Sequence, residues 1–157
     1  MGIEPGKSMS RPILVSACLL GLLTRYDGAT KRSDKTLSFL REHRYVPVPV
    51  CPEQLAGLPT PRAATRFTDG DGASLLAGCG TVKNSEGAIV NEIFLRGAAE
   101  TLKIARLCGC STALLKERSP SCGVHQIYLE EEVVAGQGVT AALLLSSGIE
   151  VFSEEDL

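Results

Sequence analysis

Short apolar, β-branched runs separated by helix-like segments constrain this chain most. "RPILVSA" (11–17), "YVPVPV" (45–50) and "STALLK" (111–116) each have the length and content of a buried strand, and "IEVF" (149–152) is a fourth. Between the first two, Ser33 suits the N-cap of a helix through about His43. Leu37 and Leu40 share one face of it, and Arg41, His43 and Arg44 favour its C-terminal dipole. Between the second and third lies "NEIFLRGAAETLKIARLCG" (91–109). Asn91 is positioned to cap it, Phe94, Ala98, Leu102, Ala105 and Cys108 form an apolar stripe, and Gly109 can end it. Thr140 is the expected cap of a short helix, "AALLLSS", closed by Gly148. The alternation predicts a single α/β domain on a mainly parallel, Rossmann-like sheet flanked by helices, with ligands gathering beyond the C-terminal strand ends.

Other stretches are less regular. Pro47 and Pro49 suit the second strand to a sheet edge or to a constrained strand end. Residues 51–75, rich in Pro, Gly, Thr and Arg, read as a long functional loop. Residues 79–89 and the polar "YLEEEVVAGQG" (128–138) show no period that assigns them. No internal repeat or low-complexity linker interrupts the chain, so residues 11–157 form the expected domain and residues 1–10 a disordered leader.

A chain of 157 residues, 44% hydrophobic and 22% charged, buries a real core. The formal net charge of -2 argues against binding a nucleic-acid polymer or an anionic membrane. Aromatic content of 4%, with no Trp, argues against a base-stacking platform. No apolar run approaches the roughly 20 residues of a membrane span, and "MGIEPGKSMSRP" lacks a signal-peptide core. The expected location is the reducing cytoplasm, where the six cysteines are thiols or metal ligands rather than disulfides.

Three of those cysteines follow predicted strands: Cys18 the first, Cys51 the second and Cys122 the third. The topology alone carries them to one sheet edge. Cys79, Cys108 and Cys110 are expected to be small buried hydrophobes; Cys108 falls on a helix stripe, and one residue separates it from Cys110, too few for a zinc knuckle. Zinc on the trio needs a fourth ligand, for which His125 is the candidate. A thiol nucleophile needs a paired base, and neither histidine offers one clearly. A cubane iron–sulfur cluster on three thiolates leaves one iron open as a Lewis acid. A metal-free persulfide carrier and a non-catalytic structural metal site complete the alternatives, and spacing leaves them open.

The motifs "SACLLG…RYDG" (16–28), "CPEQLAGLPTPR" (51–62), "LLKERSPSCG" (114–123) and "GVTAALLLSSGIEVFSE" (138–154) resemble a bacterial family long filed as a domain of unknown function. Its studied members include the thiouracil desulfidases. The resemblance implies a 4Fe-4S cluster held by Cys18, Cys51 and Cys122, and removal of sulfur from a thionated pyrimidine to give the oxo base and sulfide. It also implies acid–base roles for Glu53 and Ser119. A soft thione sulfur suits a thiolate-held iron, and coordination opens the adjacent ring carbon to water, whose proton Glu53 can take and return. Ser119 can hydrogen-bond the ring or relay the proton. Arg25, Asp27 and Arg62 are the substrate-side candidates, although Asp27-Gly28 is also an ordinary turn pair. The implied partners are a small thionated substrate and iron–sulfur assembly machinery. The chain departs from the family at 127–138, where "IYLEEEVVAGQG" replaces a longer segment and alters one expected wall of the pocket.

Overall fold

A computed structural model describes residues 10–157; of the expected leader, residues 1–9 lie outside the described residues. Strands β1 (Arg11–Ser16), β2 (Tyr45–Val50), β5 (Thr112–Leu115) and β8 (Glu150–Ser153) form an all-parallel sheet in the order β2-β1-β5-β8. The proline-bearing β2 is an edge strand, where two missing N–H donors cost the ladder least. Alternation of side chains across the pleat then splits the core in two. Ile13, Val15 and Leu114 face Leu40 of helix α1 (Asp34–Glu42). Leu14, Ala113 and Leu115 face Leu102 and Ala105 of α4 (Asn91–Cys108) and Ala141 and Leu144 of α5 (Val139–Ser146). All eleven of these side chains are buried.

A second sheet was not expected. β3 (Thr65–Asp69), β4 (Thr81–Asn84), β6 (Gln126–Leu129) and β7 (Glu132–Ala135) pair in the order β4-β3-β6-β7, with β3 and β6 parallel and the outer pairs antiparallel. Phe67, Val82 and Ile127 of this sheet pack on Phe94 and Ala98 of α4, so one long helix serves both sheets. Residues 51–75 are therefore not one loop. Besides β3 they contain α2 (Pro52–Leu55) and α3 (Gly72–Leu76), and the longest irregular stretch is 56–64. The strands escape recognition because each buries few side chains; in β3 only Phe67 is fully covered.

Two expected helix caps are corrected. Asn91 is the first residue of α4, and Val90 precedes it as N-cap. The Asn91 Oδ1 instead accepts from Val82 N at 2.8 Å and its Nδ2 donates to Gly80 O at 3.2 Å, tying α4 to β4. Thr140 lies inside α5, whose N-cap is Gly138. The first-turn N–H groups of Val139 and Thr140 donate to the carbonyls of Pro120 and Ser121, both at 2.9 Å, so neighbouring backbone replaces a capping side chain. The Ser33 cap is as expected, its Oγ accepting from Thr36 N at 3.1 Å. Of Cys79, Cys108 and Cys110, expected to be buried, only Cys110 is; Cys108 is exposed because the α4 stripe ends one turn earlier, at Ala105, and Cys79 is exposed in the connection between α3 and β4.

Candidate functional site

The carboxyl ends of β1, β2 and β5 share one edge, and a cavity of about 490 Å³ opens there. β1 runs into a 3-10 turn, Ala17–Leu20, that carries Cys18, and Cys51 is the residue immediately before α2. Cys122 sits in the loop that leaves β5. All three thiols line the cavity, as do Glu53, Ser119, Arg25 and Arg62. Asp27 does not: it is exposed, its Oδ1 accepts from Ala29 N at 2.9 Å, and it shapes the turn that ends in Gly28. His125 is also elsewhere, its Nε2 on Asp156 at 2.9 Å. Among the described residues, no three His, Cys, Asp or Glu side chains are gathered closely enough to chelate a single metal ion.

Burial governs the thiols. Desolvation pushes Cys18 up to about 11 despite the cations of Lys116 and Arg25 nearby, and raises Cys51 as well. Cys122, only 5% exposed, is raised furthest; a hydrogen bond with the Ser16 hydroxyl opposes that shift, and the charges of Cys18, Cys51 and Glu53 add to it. Each thiol keeps its proton in this site unless a bound cationic group takes the charge.

Arg62 organises the wall around Cys51. Its Nη2 donates to Thr24 O at 2.9 Å and lies 3.8 Å from Cys51 Sγ, and its Nη1 donates to Thr60 Oγ1 at 2.9 Å. Its Nε stands 3.5 Å from Glu53 Oε1; the two side chains are 5% and 13% exposed. Burial raises the Glu53 carboxyl, while Arg62, Thr65 and Arg25 pull it back towards ionisation. The pair is close in charge terms but not aligned as a hydrogen bond, and the Nε–H groups of both Arg62 and Arg25 are buried without an acceptor.

Ser119 is committed to its own loop. Its Oγ accepts from Ser121 N at 3.2 Å and Cys122 N at 3.1 Å, so both lone pairs are used and its O–H remains free to donate. Gly123 is required beside Cys122, because a Cβ there would meet the carbonyl oxygens of Gln126 and Ser119.

The residues missed in the sequence are charged. Lys31, Arg66, Lys116, Arg118, Glu117 and Glu130 also line the cavity, giving six cationic side chains against three carboxylates. The departing segment 127–138 builds β6 and β7, and its Tyr128 and Glu130 form part of the rim, with Glu130 paired to Arg66 at 3.2 Å. Three thiols and the buried Nε–H groups of Arg62 and Arg25, which stand 3.5 and 3.7 Å from the Glu53 and Asp27 carboxylates without hydrogen-bonding them, fit an anionic, thiolate-held group. Glu117 was discoverable: a carboxylate two residues beyond a buried strand needs partners.

The sequence model of a family described as 2-thiouracil desulfurase matches residues 13–156. An uncharacterized protein, YbbK, of Bacillus subtilis (strain 168) is 40% identical over 148 residues, covering 92% of this chain and 97% of the relative. The solved structure of a 4Fe-4S-dependent thiouracil desulfidase, TudS (DUF523Vcz), is also 40% identical. It superposes with a TM-score of 0.78 over 94% of this chain and 93% of that one.

Proposed function

This chain belongs to the 2-thiouracil desulfurase family, and from that premise we propose that it is a desulfidase acting on a small, thiouracil-like thiocarbonyl compound. The reaction is hydrolytic: the thione and one water give the oxo product, hydrosulfide and a proton, with no net redox change. The observation that carries the reading is the meeting of Cys18, Cys51, Cys122 and a buried Glu53 in one cavity. Those three cysteines would hold a 4Fe-4S cluster. When bound, such a cluster supplies an open iron, a soft Lewis acid for the thione sulfur.

The chain's own residues do the rest. Glu53 is the general base that takes the proton of the attacking water and later returns it. Its raised affinity for protons, set by burial and restrained by Arg62, moves it towards the working range for both roles. Ser119, with its acceptor positions filled by backbone N–H groups, donates its hydroxyl proton to a substrate oxygen or nitrogen. Arg25 and Arg62 line the cavity as cations, each beside a carboxylate, Asp27 at 3.7 Å and Glu53 at 3.5 Å, and favour negative charge there. Supply of the cluster by iron–sulfur assembly machinery and residence in the reducing cytoplasm belong to the same reading. No helix among the described residues is long and apolar enough to cross a membrane.

The test is turnover of 2-thiouracil by anaerobically reconstituted protein, with product and sulfide counted separately. Uracil and sulfide in equal amounts support the reading. Full iron content without uracil overturns the thiouracil-type substrate, and a stable persulfide on one cysteine of metal-free protein favours a sulfur carrier instead.

A further inference from the structure

The loop from Lys116 to His125 carries both Ser119 and Cys122 yet contains no regular element long enough to hold its shape. From inside, the Glu117 carboxylate accepts backbone N–H groups of Val124, His125 and Gln126 at 2.8, 2.9 and 3.0 Å. From outside, the last residues of the chain grip the same loop. Ser153 closes a capping box with Asp156, which turns residues Glu154–Asp156 into one 3-10 turn with three carboxylates in sequence. Each carboxylate takes a different part of the loop. Glu154 accepts from Glu117 N through both oxygens at 3.0 Å and meets Lys116 Nζ at 3.2 Å. Glu155 pairs with Arg118 at 2.7 Å, and Asp156 with His125 at 2.9 Å.

The gripped residues stand on both sides of Ser119 and Cys122. Arg118 needs such a hold, since its φ of 65° is left-handed, a conformation that a non-glycine residue adopts only when its surroundings impose it. Lys116 lines the cavity, and Glu154 is close enough for its charge to bear on Cys18, so the grip ends beside the site rather than at a remote surface.

We propose that the C-terminal segment Ser153–Asp156 is a clamp that holds the Lys116–His125 loop so that Ser119 and Cys122 face the cavity, with Glu154 as its principal positioning residue. The clamp deepens the desulfidase reading, because that reading needs Cys122 fixed. It is nevertheless a property of the metal-free chain and is tested on it.

The experiment is alkylation of metal-free protein by N-ethylmaleimide, followed by peptide mapping of each cysteine. Cys122 and Cys110 are both buried in the same core cluster, but only Cys122 lies on the clamped loop. Glu154→Ala should speed alkylation of Cys122 by about tenfold, through local opening, and leave Cys110 at the wild-type rate. Glu154→Gln keeps an acceptor for the Glu117 N–H and should recover most of the protection. Should Glu154→Ala not yield folded protein, Glu155→Ala removes a more exposed pair and should speed Cys122 by about threefold. A Cys122 rate unchanged in the variants overturns the clamp. Parallel acceleration of Cys110 and Cys122 overturns it too, since that pattern is general loosening.

Discussion

Replacing Glu117 by Ala should be among the most damaging single changes outside the thiols. The side chain is 3% exposed, and its Oε1 accepts four backbone N–H groups: those of Val124, His125 and Gln126 at 2.8–3.0 Å, of which the Val124 bond is buried, and more weakly that of Arg118 at 3.4 Å. Alanine leaves the three close donors, and the weaker fourth, without this acceptor. A hydrogen bond to a charged acceptor contributes roughly 1.5–3 kcal/mol, and the two partly buried donors recover some of theirs from water, so the loss should be about 3–5 kcal/mol. That is a large share of the stability of a small domain. Burial alone would push the Glu117 carboxyl up, but the N–H donors of Gln126, His125 and Val124 outweigh it and hold it below its ordinary 4.5. A carboxyl depressed by folding stabilises the fold above its unfolded value and loses that contribution as pH falls through the folded one. Urea unfolding at about pH 6 and about pH 3 should therefore show a gap between wild type and Glu117→Gln that narrows towards acid. A loss below about 1 kcal/mol in Glu117→Ala, or a gap that does not move with pH, would refute this account of the loop.

Other positions give independent tests. Glu53→Gln should lower desulfuration by about 100-fold or more while iron content stays at the wild-type level, measured by steady-state uracil formation beside iron analysis. Arg62→Met leaves the Glu53 carboxyl buried without its guanidinium and frees Thr24 O; thermal or urea unfolding should show a loss of about 3 kcal/mol. Gly97 of α4 lies directly against the Pro52 carbonyl of α2, so Gly97→Ala must displace the helix that carries Glu53. It should cost about 1–3 kcal/mol in urea unfolding although alanine is the better helix former.

The centre of the parallel sheet was legible because β1 and β5 bury side chains on both faces, which compresses the apolar residues into short runs such as Ile13–Val15 and Ala113–Leu115. The second sheet was not. Its strands present one modest apolar face to α4, and Tyr128 and Val133 are exposed, so neither period nor composition marks them. The caps failed for a related reason: Asn91 and Thr140 carry suitable side chains, but the backbone partners that decide their roles, Val82 and the Pro120–Ser121 carbonyls, are remote in sequence. At the site, the convergence of Cys18, Cys51 and Cys122 followed from strand order alone. The placement of Asp27 outside the cavity did not, because an Asp-Gly pair serves a turn and a pocket equally well in sequence. The grip of Glu154, Glu155 and Asp156 on the loop after β5 joins residues more than thirty positions apart, which no local pattern reports.

Iron and acid-labile sulfide, counted per chain after anaerobic reconstitution of wild type, Cys79→Ala and Cys122→Ala, test the central claim most directly. The account predicts about four of each in wild type and in Cys79→Ala, whose thiol is exposed and off the cavity, and their loss in Cys122→Ala. A single zinc, or the same metal content in all three proteins, would contradict it.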